Sequence, residues 1–318
     1  MRPPHTWEDA GMTSIPSPSE PAEILALARR HDLDLDPGSL EIEELGLDFR
    51  VAIGTTAATA STAEPTRWVL RIPRRDDVLS RAEVEARALA WIGPQLDIAV
   101  PDWRIHSPEL IAYPLLPGRP ALTLDDSGTP HWHVDMSSRV YAASLGDFLA
   151  QLHGLDAEHA RSLGLEHRDP AQVREQWRED IDRVGAEFTV APRLLERWSA
   201  WLAEDSFWPS HSVLVHGEVY PGHTLVDGER LSAVLDWTTA AVGDPARDLM
   251  FHQSVAPTEI FEVLIEHYER GGGRTWPRLA EHCTEMLAAS AVAYGLYALQ
   301  TREPAHLEAA AMELDPPQ

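Results

Sequence analysis

The sequence predicts an α+β chain of two lobes, a small antiparallel sheet carrying one helix followed by a larger, mainly helical lobe. Three observations lead there. Short apolar runs of strand length crowd into the first 112 residues. A segment broken by Pro and Gly, Leu115-Leu-Pro-Gly-Arg-Pro120, then interrupts the pattern. Beyond it most apolar positions recur with the 3.6-residue period of an amphipathic helix. The resulting division is a loose tail over 1–20, a first lobe over 21–112, a hinge over 113–118 and a helical lobe over 119–318.

Taken in order, the tail is rich in Pro and Ser and has little to bury. Pro21 to His31 reads as a helix with Ser19 as N-cap and Ile24, Leu25, Leu27 and Ala28 as its apolar stripe. Leu40 to Ile53 alternates like two strands broken at Gly46. Gly54 to Thr66 is a polar hairpin connection, and Trp68 to Pro73 is a third strand. Ser80, with Glu83 three residues on, has the form of a capping box for a helix reaching Gly93. Pro101 to Ile105 and Leu110 to Pro114 complete the sheet. After the hinge, Val140 to Leu155 places Leu145, Phe148, Leu149 and Leu152 on one helical face. Further helices are predicted over 171–184, 192–202, 260–270, 276–299 and 304–312. The hairpin around residues 214–235 is the one strand-like stretch in this lobe.

Composition narrows the function classes. A net charge of −25 argues against nucleic acid or an anionic membrane as partner, since both want basic surface. No apolar run is long enough to span a bilayer, and Met1 to Ala10 lacks the apolar core of a signal peptide, so a cytoplasmic protein is expected. Cys283 is the single cysteine, which excludes an internal disulfide and a thiolate zinc cluster; it is read as a helix residue of the packing. The chain contains neither lysine nor asparagine, and all 26 of its basic residues are arginine. Any chemistry that ordinarily uses Lys or Asn must therefore use a substitute.

The chemistry-bearing stretch is Leu214-Val-His-Gly-Glu-Val-Tyr-Pro-Gly-His-Thr-Leu-Val226, followed by Leu231-Ser-Ala-Val-Leu-Asp-Trp237. Apolar Leu214 and Val215 lead into the loop, Thr224 to Val226 lead out, and Asp227-Gly228 marks a tight turn. His216, Glu218, His223 and Asp236 thus collect at the mouths of buried strands, where charged groups carry a desolvation cost that packing alone does not justify. Phosphoryl transfer needs an acid to orient a hydroxyl and two ligands to hold Mg²⁺ against nucleotide phosphates. Glu218, His223 five residues later and Asp236 at the end of the next strand meet that pattern. The middle ligand is usually Asn, which this chain lacks. A zinc site built on His216 and His223 is the weaker alternative, since no third soft ligand lies nearby.

The first lobe supplies matching parts. Glu44-Leu-Gly-Leu-Asp-Phe-Arg50 lies between strands where a nucleotide loop would sit, with Gly46, Leu47, Asp48 and Phe49 at its centre. Arg71 on the third strand and Glu85 on the following helix could form a surface ion pair or a phosphate-binding pair; Arg can fork onto phosphate oxygens. The backbone of Ala112, Tyr113, Pro114 and Leu115 is where a purine would be read. Asp244 caps a helix opening at Pro245, and Asp248, one turn on, could reach back to the backbone near His216. Trp177, Trp198 and Trp201 are read as helix packing. Trp276, Tyr294 and Tyr297 are read as core rather than as the wall of an apolar pocket.

These segments, with Trp68-Val-Leu-Arg-Ile-Pro-Arg-Arg75, Val100-Pro-Asp-Trp-Arg104 and Ala112-Tyr-Pro114, make the chain similar to the macrolide 2′-phosphotransferases. That family is a branch of the aminoglycoside-phosphotransferase group with a bilobal, protein-kinase-like fold. The likeness runs from about Pro21 to Met312, and Arg71 and His223 match an arginine and a histidine of the family. It implies an antibiotic-resistance kinase moving the γ-phosphate of GTP (or ATP) to the 2′-hydroxyl of a macrolide amino sugar. Glu218 and Arg71 would act in catalysis, His223 and Asp236 would hold Mg²⁺, and His216 and Asp248 would support the loop. A monomer is expected. Kinases of other small alcohols (aminoglycosides, choline, sugars) and a nucleotide-binding protein without turnover are the alternatives. The family carries Asp where this chain has Glu218, and a displacement of about an ångström at a reacting group can cost on the order of a hundredfold in rate. Thr238-Thr239 also stands where a Ser-Glu pair is common.

Overall fold

The structure, a computed structural model, describes residues 20–43, 49–57, 65–74, 78–125 and 127–316. Its chain divides into two compact units, one of residues up to Gly93 plus Val100–Leu116, the other of Pro94–Ala99 plus Pro117 onward. The sequence-based division kept 94–99 with the first lobe. In the structure Ala99 N donates to Ser232 O (3.0 Å) and Ala99 O accepts from Val234 N (3.1 Å) in the second unit.

The first unit is built on a five-stranded sheet. Its described elements are α1 (Pro21–Arg30), β1 (Glu41–Glu43), β2 (Phe49–Thr55), β3 (Arg67–Pro73), α2 (Val78–Ile92), β4 (Ile105–His106) and β5 (Ile111–Pro114). The strands run in the order β1-β2-β3-β5-β4, each pair antiparallel. α1 buries Ile24, Leu27 and Ala28 completely, in one cluster with Leu35, Ala52, Leu70, Ile72, Leu110 and Ala112. Full burial of an aliphatic side chain of this size is worth roughly 1.5–3 kcal/mol, so this stripe fixes the helix to the sheet. The residue capping α1 is Glu20, whose N–H donates to Glu23 (3.4 Å); Ser19, expected there, lies outside the described residues. α2 begins at Val78, which is buried, so Ser80 sits inside the first turn instead of capping it. Gly46, Leu47 and Asp48, and most of the 54–66 connection, also lie outside the described residues.

The second unit is mainly helical, as predicted, but carries more strand than the single hairpin foreseen. Its elements are β6 (Arg119–Pro120), β7 (Leu122–Leu124), β8 (Pro130–Trp132), α3 (Arg139–His153), α4 (Ala157–Ser162), β9 (Glu166–His167), α5 (Pro170–Glu187), α6 (Pro192–Ala203), β10 (Val213–Val215), β11 (Thr224–Asp227), β12 (Arg230–Val234), β13 (Ala241–Gly243), α7 (Ala246–Val255), α8 (Thr258–Arg270), α9 (Leu279–Ala288), α10 (Ser290–Thr301) and α11 (Pro304–Leu314). The stretch predicted as one helix over 276–299 is two, α9 and α10. The missed strands are two or three residues long, too short for a periodic signal. The α+β class and the helical character of this region hold.

The key hairpin also differs in detail. β11 and β12 pair across Asp227-Gly228 as expected, whereas β10 pairs with β13, in register Val215 to Ala241. The two ends of the loop therefore belong to different small sheets. α3 and α8 cross closely at Gly146: a Cβ there would stand 2.4 Å from the Leu264 carbonyl oxygen. Only glycine permits that approach. Among the described residues no helix is long and apolar enough to cross a membrane.

Candidate active site

β3 carries Arg71 in the middle of the sheet, in register with Val51 and Ile111. Its Nη1 donates to Glu85 Oε1 at 2.9 Å, and its guanidinium lies over the Phe49 ring at 4.2 Å. Arg71 is 8% exposed and Glu85 3%, so the surface ion pair weighed from the sequence is in fact buried. Burial removes solvent screening and makes each partner costly to leave without the other. On β5, Ala112 and Tyr113 are buried opposite Leu70 and Val69. The Ala112 carbonyl accepts from Arg104 N (2.9 Å) and Leu115 N donates to Arg67 O (2.8 Å), so both groups serve the sheet.

In the second unit, Val215 leads directly from β10 into His216 and Gly217. Gly217 has φ +90°, and a Cβ there would come within 2.5 Å of the Thr239 carbonyl oxygen. The loop is held by its own imidazoles. His216 Nε2 donates to Leu235 O (2.8 Å), which leaves Nδ1 to accept from Glu218 N (3.2 Å). Burial holds the His216 ring below the usual histidine value, in keeping with a neutral ring used as both donor and acceptor. His223 Nδ1 donates to the Glu218 carbonyl (3.1 Å), while its backbone oxygen accepts from Leu235 N (2.8 Å). A carbonyl can only accept, so the proton is on Nδ1 and the Nε2 lone pair is free to bind elsewhere.

That lone pair meets Asp236. His223 Nε2 and Asp236 Oδ2 are 3.8 Å apart. Asp236 has φ +57°, an uncommon left-handed conformation for a residue with a side chain and one concentrated at functional sites. Thr238 Oγ1 donates to Asp236 Oδ1 (2.6 Å), and Thr239 Oγ1 donates to His216 O (2.9 Å). The two threonines, noted in the sequence only as a departure, thus orient one carboxylate oxygen and brace the loop. Among the described residues no group of three or more His, Cys, Asp or Glu forms a metal cage. A two-donor pair of one nitrogen and one oxygen fits a divalent cation that completes its shell with phosphate oxygens and water. It does not fit a closed zinc site.

Glu218 is partly buried. Burial pushes its carboxyl above the ordinary glutamate value; His223 and Arg247 oppose this and the charge of Asp236 adds to it. Asp248 is fully buried, and its two oxygens accept from His216 N (2.8 Å) and Gly217 N (2.7 Å). Burial alone would push the Asp248 carboxyl up, but the bond from His153, the neighbouring imidazoles and the Gly217 N–H hold it below the usual aspartate range. His153, at the end of α3, had no marker in the sequence beyond its place after an apolar stripe. Its partner is 95 residues away.

A cleft of about 250 Å³ reaches Val215, the last residue before the loop, and is walled further by Trp177, Asp180, Arg247, Met286 and Leu296 among others. Gln176 donates to Asp180 Oδ1 at its rim (2.9 Å). Trp198 and Trp201 are buried, as read from their spacing, while Trp177 is half-buried and reaches this wall. Trp276, Tyr294 and Tyr297 are not part of it. Cys283 is fully buried.

The sequence profile of the phosphotransferase enzyme family matches residues 46–282. The crystal structure of macrolide 2′-phosphotransferase MphH from Brachybacterium faecium, an apoenzyme, is 61% identical and superposes with a TM-score of 0.90, over 95% of this chain and 99% of that one. A macrolide 2′-phosphotransferase type I is 43% identical with a TM-score of 0.85, over 96% and 100% of the two chains. The uncharacterized protein YcbJ of Bacillus subtilis (strain 168) is 38% identical over 303 residues, 94% of this chain and 97% of its own. The resemblance read from the loop and strand motifs holds across nearly the whole length. The chain belongs to the phosphotransferase enzyme family and is an enzyme of kinase-like fold.

Proposed function

We propose that the protein is a macrolide 2′-kinase, transferring the γ-phosphate of GTP or ATP to the 2′-hydroxyl of the macrolide amino sugar with Mg²⁺. The observation that carries the chemistry is the approach of His223 Nε2 to Asp236 Oδ2, next to Glu218 on a loop whose backbone is held by Asp248. The acceptor class rests on the two macrolide 2′-phosphotransferases, 61% and 43% identical, that share its fold.

In this reading Glu218 orients the acceptor hydroxyl and takes its proton. The loose transition state of phosphoryl transfer makes positioning matter more than basicity, so the longer acid is tolerated. His223 and Asp236 would hold Mg²⁺, which supplies charge neutralisation at the transferred phosphate. Arg71, kept rigid by Glu85, contributes to phosphate binding, and Phe49 and the 112–115 backbone belong to the nucleotide site. So do Gly46, Leu47 and Asp48, on sequence grounds alone. The cleft at Val215 takes part of the acceptor. At about 250 Å³ it is smaller than most whole-ligand sites, so it would receive the amino sugar and leave the macrolide ring outside. Asp180 offers a carboxylate to the sugar's dimethylammonium.

The test is direct. Purified protein is incubated with Mg²⁺ and either GTP or ATP, against erythromycin-type and ketolide-type macrolides and a panel of aminoglycosides. A macrolide monophosphate modified at the 2′-position is the expected product. Phosphate on aminoglycosides alone, or on no acceptor, would remove this reading.

A further inference from the structure

Asp248 is not the end of the chain of contacts that holds the loop. His153 Nε2 lies 3.1 Å from Asp248 Oδ2, the same oxygen that accepts from His216 N. His153 Nδ1 lies 2.8 Å from the Tyr268 hydroxyl. His153 and Asp248 side chains are at most 1% exposed, and Tyr268 is fully buried. An ionised carboxylate accepts only, so the His153 proton is on Nε2. Nδ1 is then an acceptor, and the Tyr268 O–H must donate to it. These groups come from α3, α7 and α8, and the α3–α8 crossing that joins His153 to Tyr268 depends on Gly146.

We infer that His153 is a positioning residue for phosphoryl transfer, with Tyr268 fixing its tautomer so that Asp248 keeps the His216 and Gly217 amides, and hence Glu218, in place. Two amides and one imidazole share one carboxylate. Removing the imidazole leaves Oδ2 with a single partner in a dry site, where a carboxylate with unmet lone pairs is costly and shifts to recover partners. The loop moves with it. The inference rests on the functional reading above for its kinetic consequence, but not for its structural one.

The experiment uses the full chain with His153→Leu, His153→Gln and Tyr268→Phe, each followed by hydrogen exchange and by steady-state kinetics. Glutamine can set an amide N–H near the position of Nε2; leucine cannot. In His153→Leu the His216 and Gly217 amides should lose protection by about tenfold or more while the α3 and α8 peptides keep theirs. kcat should fall on the order of a hundredfold, with KM for both substrates within about threefold, as a displaced reacting group requires. His153→Gln should recover most of both losses. Tyr268→Phe, which removes one atom and keeps the packing, should show the same pattern in weaker form. In the unaltered chain, ¹⁵N shifts should report a proton on His153 Nε2. Unchanged loop exchange in both His153→Leu and Tyr268→Phe overturns the inference, as does a His153 proton on Nδ1 alone or a loss spread evenly over the second unit in all three variants. If the unaltered chain phosphorylates no macrolide, the functional reading fails while the exchange result still decides this one.

Discussion

His223 Nε2 stands 3.8 Å from Asp236 Oδ2 because both side chains are held at their other end. His223 gives its Nδ1 proton to the Glu218 carbonyl, and Asp236 Oδ1 accepts from Thr238. A nitrogen and an oxygen are thereby presented to one point.

Asp236→Ala should abolish transfer, by at least about a thousandfold, because it removes the oxygen donor that faces His223 Nε2. Asp236→Asn keeps a side chain tolerant of the left-handed backbone and should melt close to the unaltered protein while losing most activity. Phosphate transfer and thermal melts on the two variants check this. Turnover like that of the unaltered protein in Asp236→Ala would refute the assignment.

The acid limb of the kcat/KM profile should lie above the ordinary glutamate range. Glu218 must be ionised to accept a proton, so activity falls as pH falls through its pKa. Burial raises that pKa, so the fall begins at a higher pH than for an exposed glutamate. Glu218→Asp should keep or raise activity and alter the position of this limb. A limb unchanged in Glu218→Asp would point to another titrating group.

Gly217→Ala should destabilise the protein by roughly 1–3 kcal/mol and disable the loop. The φ of +90° is unfavourable for alanine, and the added methyl meets the Thr239 carbonyl oxygen at 2.5 Å. Denaturant melts and initial rates measure the two effects. A neutral change would mean that Thr239 yields easily.

Arg71→Ala should cost about 3–5 kcal/mol, since it leaves Glu85 as a buried charge stripped of its hydrogen-bonded cation. Arg71→Lys keeps the charge but loses the fork, so its main effect should be a raised KM for the nucleotide. Equal stability of Arg71→Ala and Arg71→Lys would contradict the buried-pair account.

His252 is buried, its two ring nitrogens have no hydrogen-bond partner among the described residues, and burial lowers its pKa to about 4. The unfolded chain, with a pKa near 6.5, binds the proton that the folded chain refuses. Stability is therefore highest above pH 6.5 and falls as pH drops towards 4, by up to about 3 kcal/mol from this residue. His252→Phe, which suits the Tyr141 and Phe261 surroundings, should flatten the acid limb of the melting curve. An equally steep limb in the variant would assign the loss to other groups.

Much of this was legible in the chain. Periodicity and turn residues determine the α+β class, the sheet of the first unit, α3 and α8. Motif spacing singles out Glu218, His223, Asp236 and Asp248, since these lie close together along the chain, and local spacing survives folding. Tertiary structure alone decided what depends on contacts across the chain. It paired β10 with β13, buried Arg71 and Glu85, and turned Thr238 onto Asp236. It also brought His153 and Tyr268 to Asp248 from 95 residues before it and from the next helix. A strand of three residues carries no period, and a buried polar group records its need for a partner but not the partner's address.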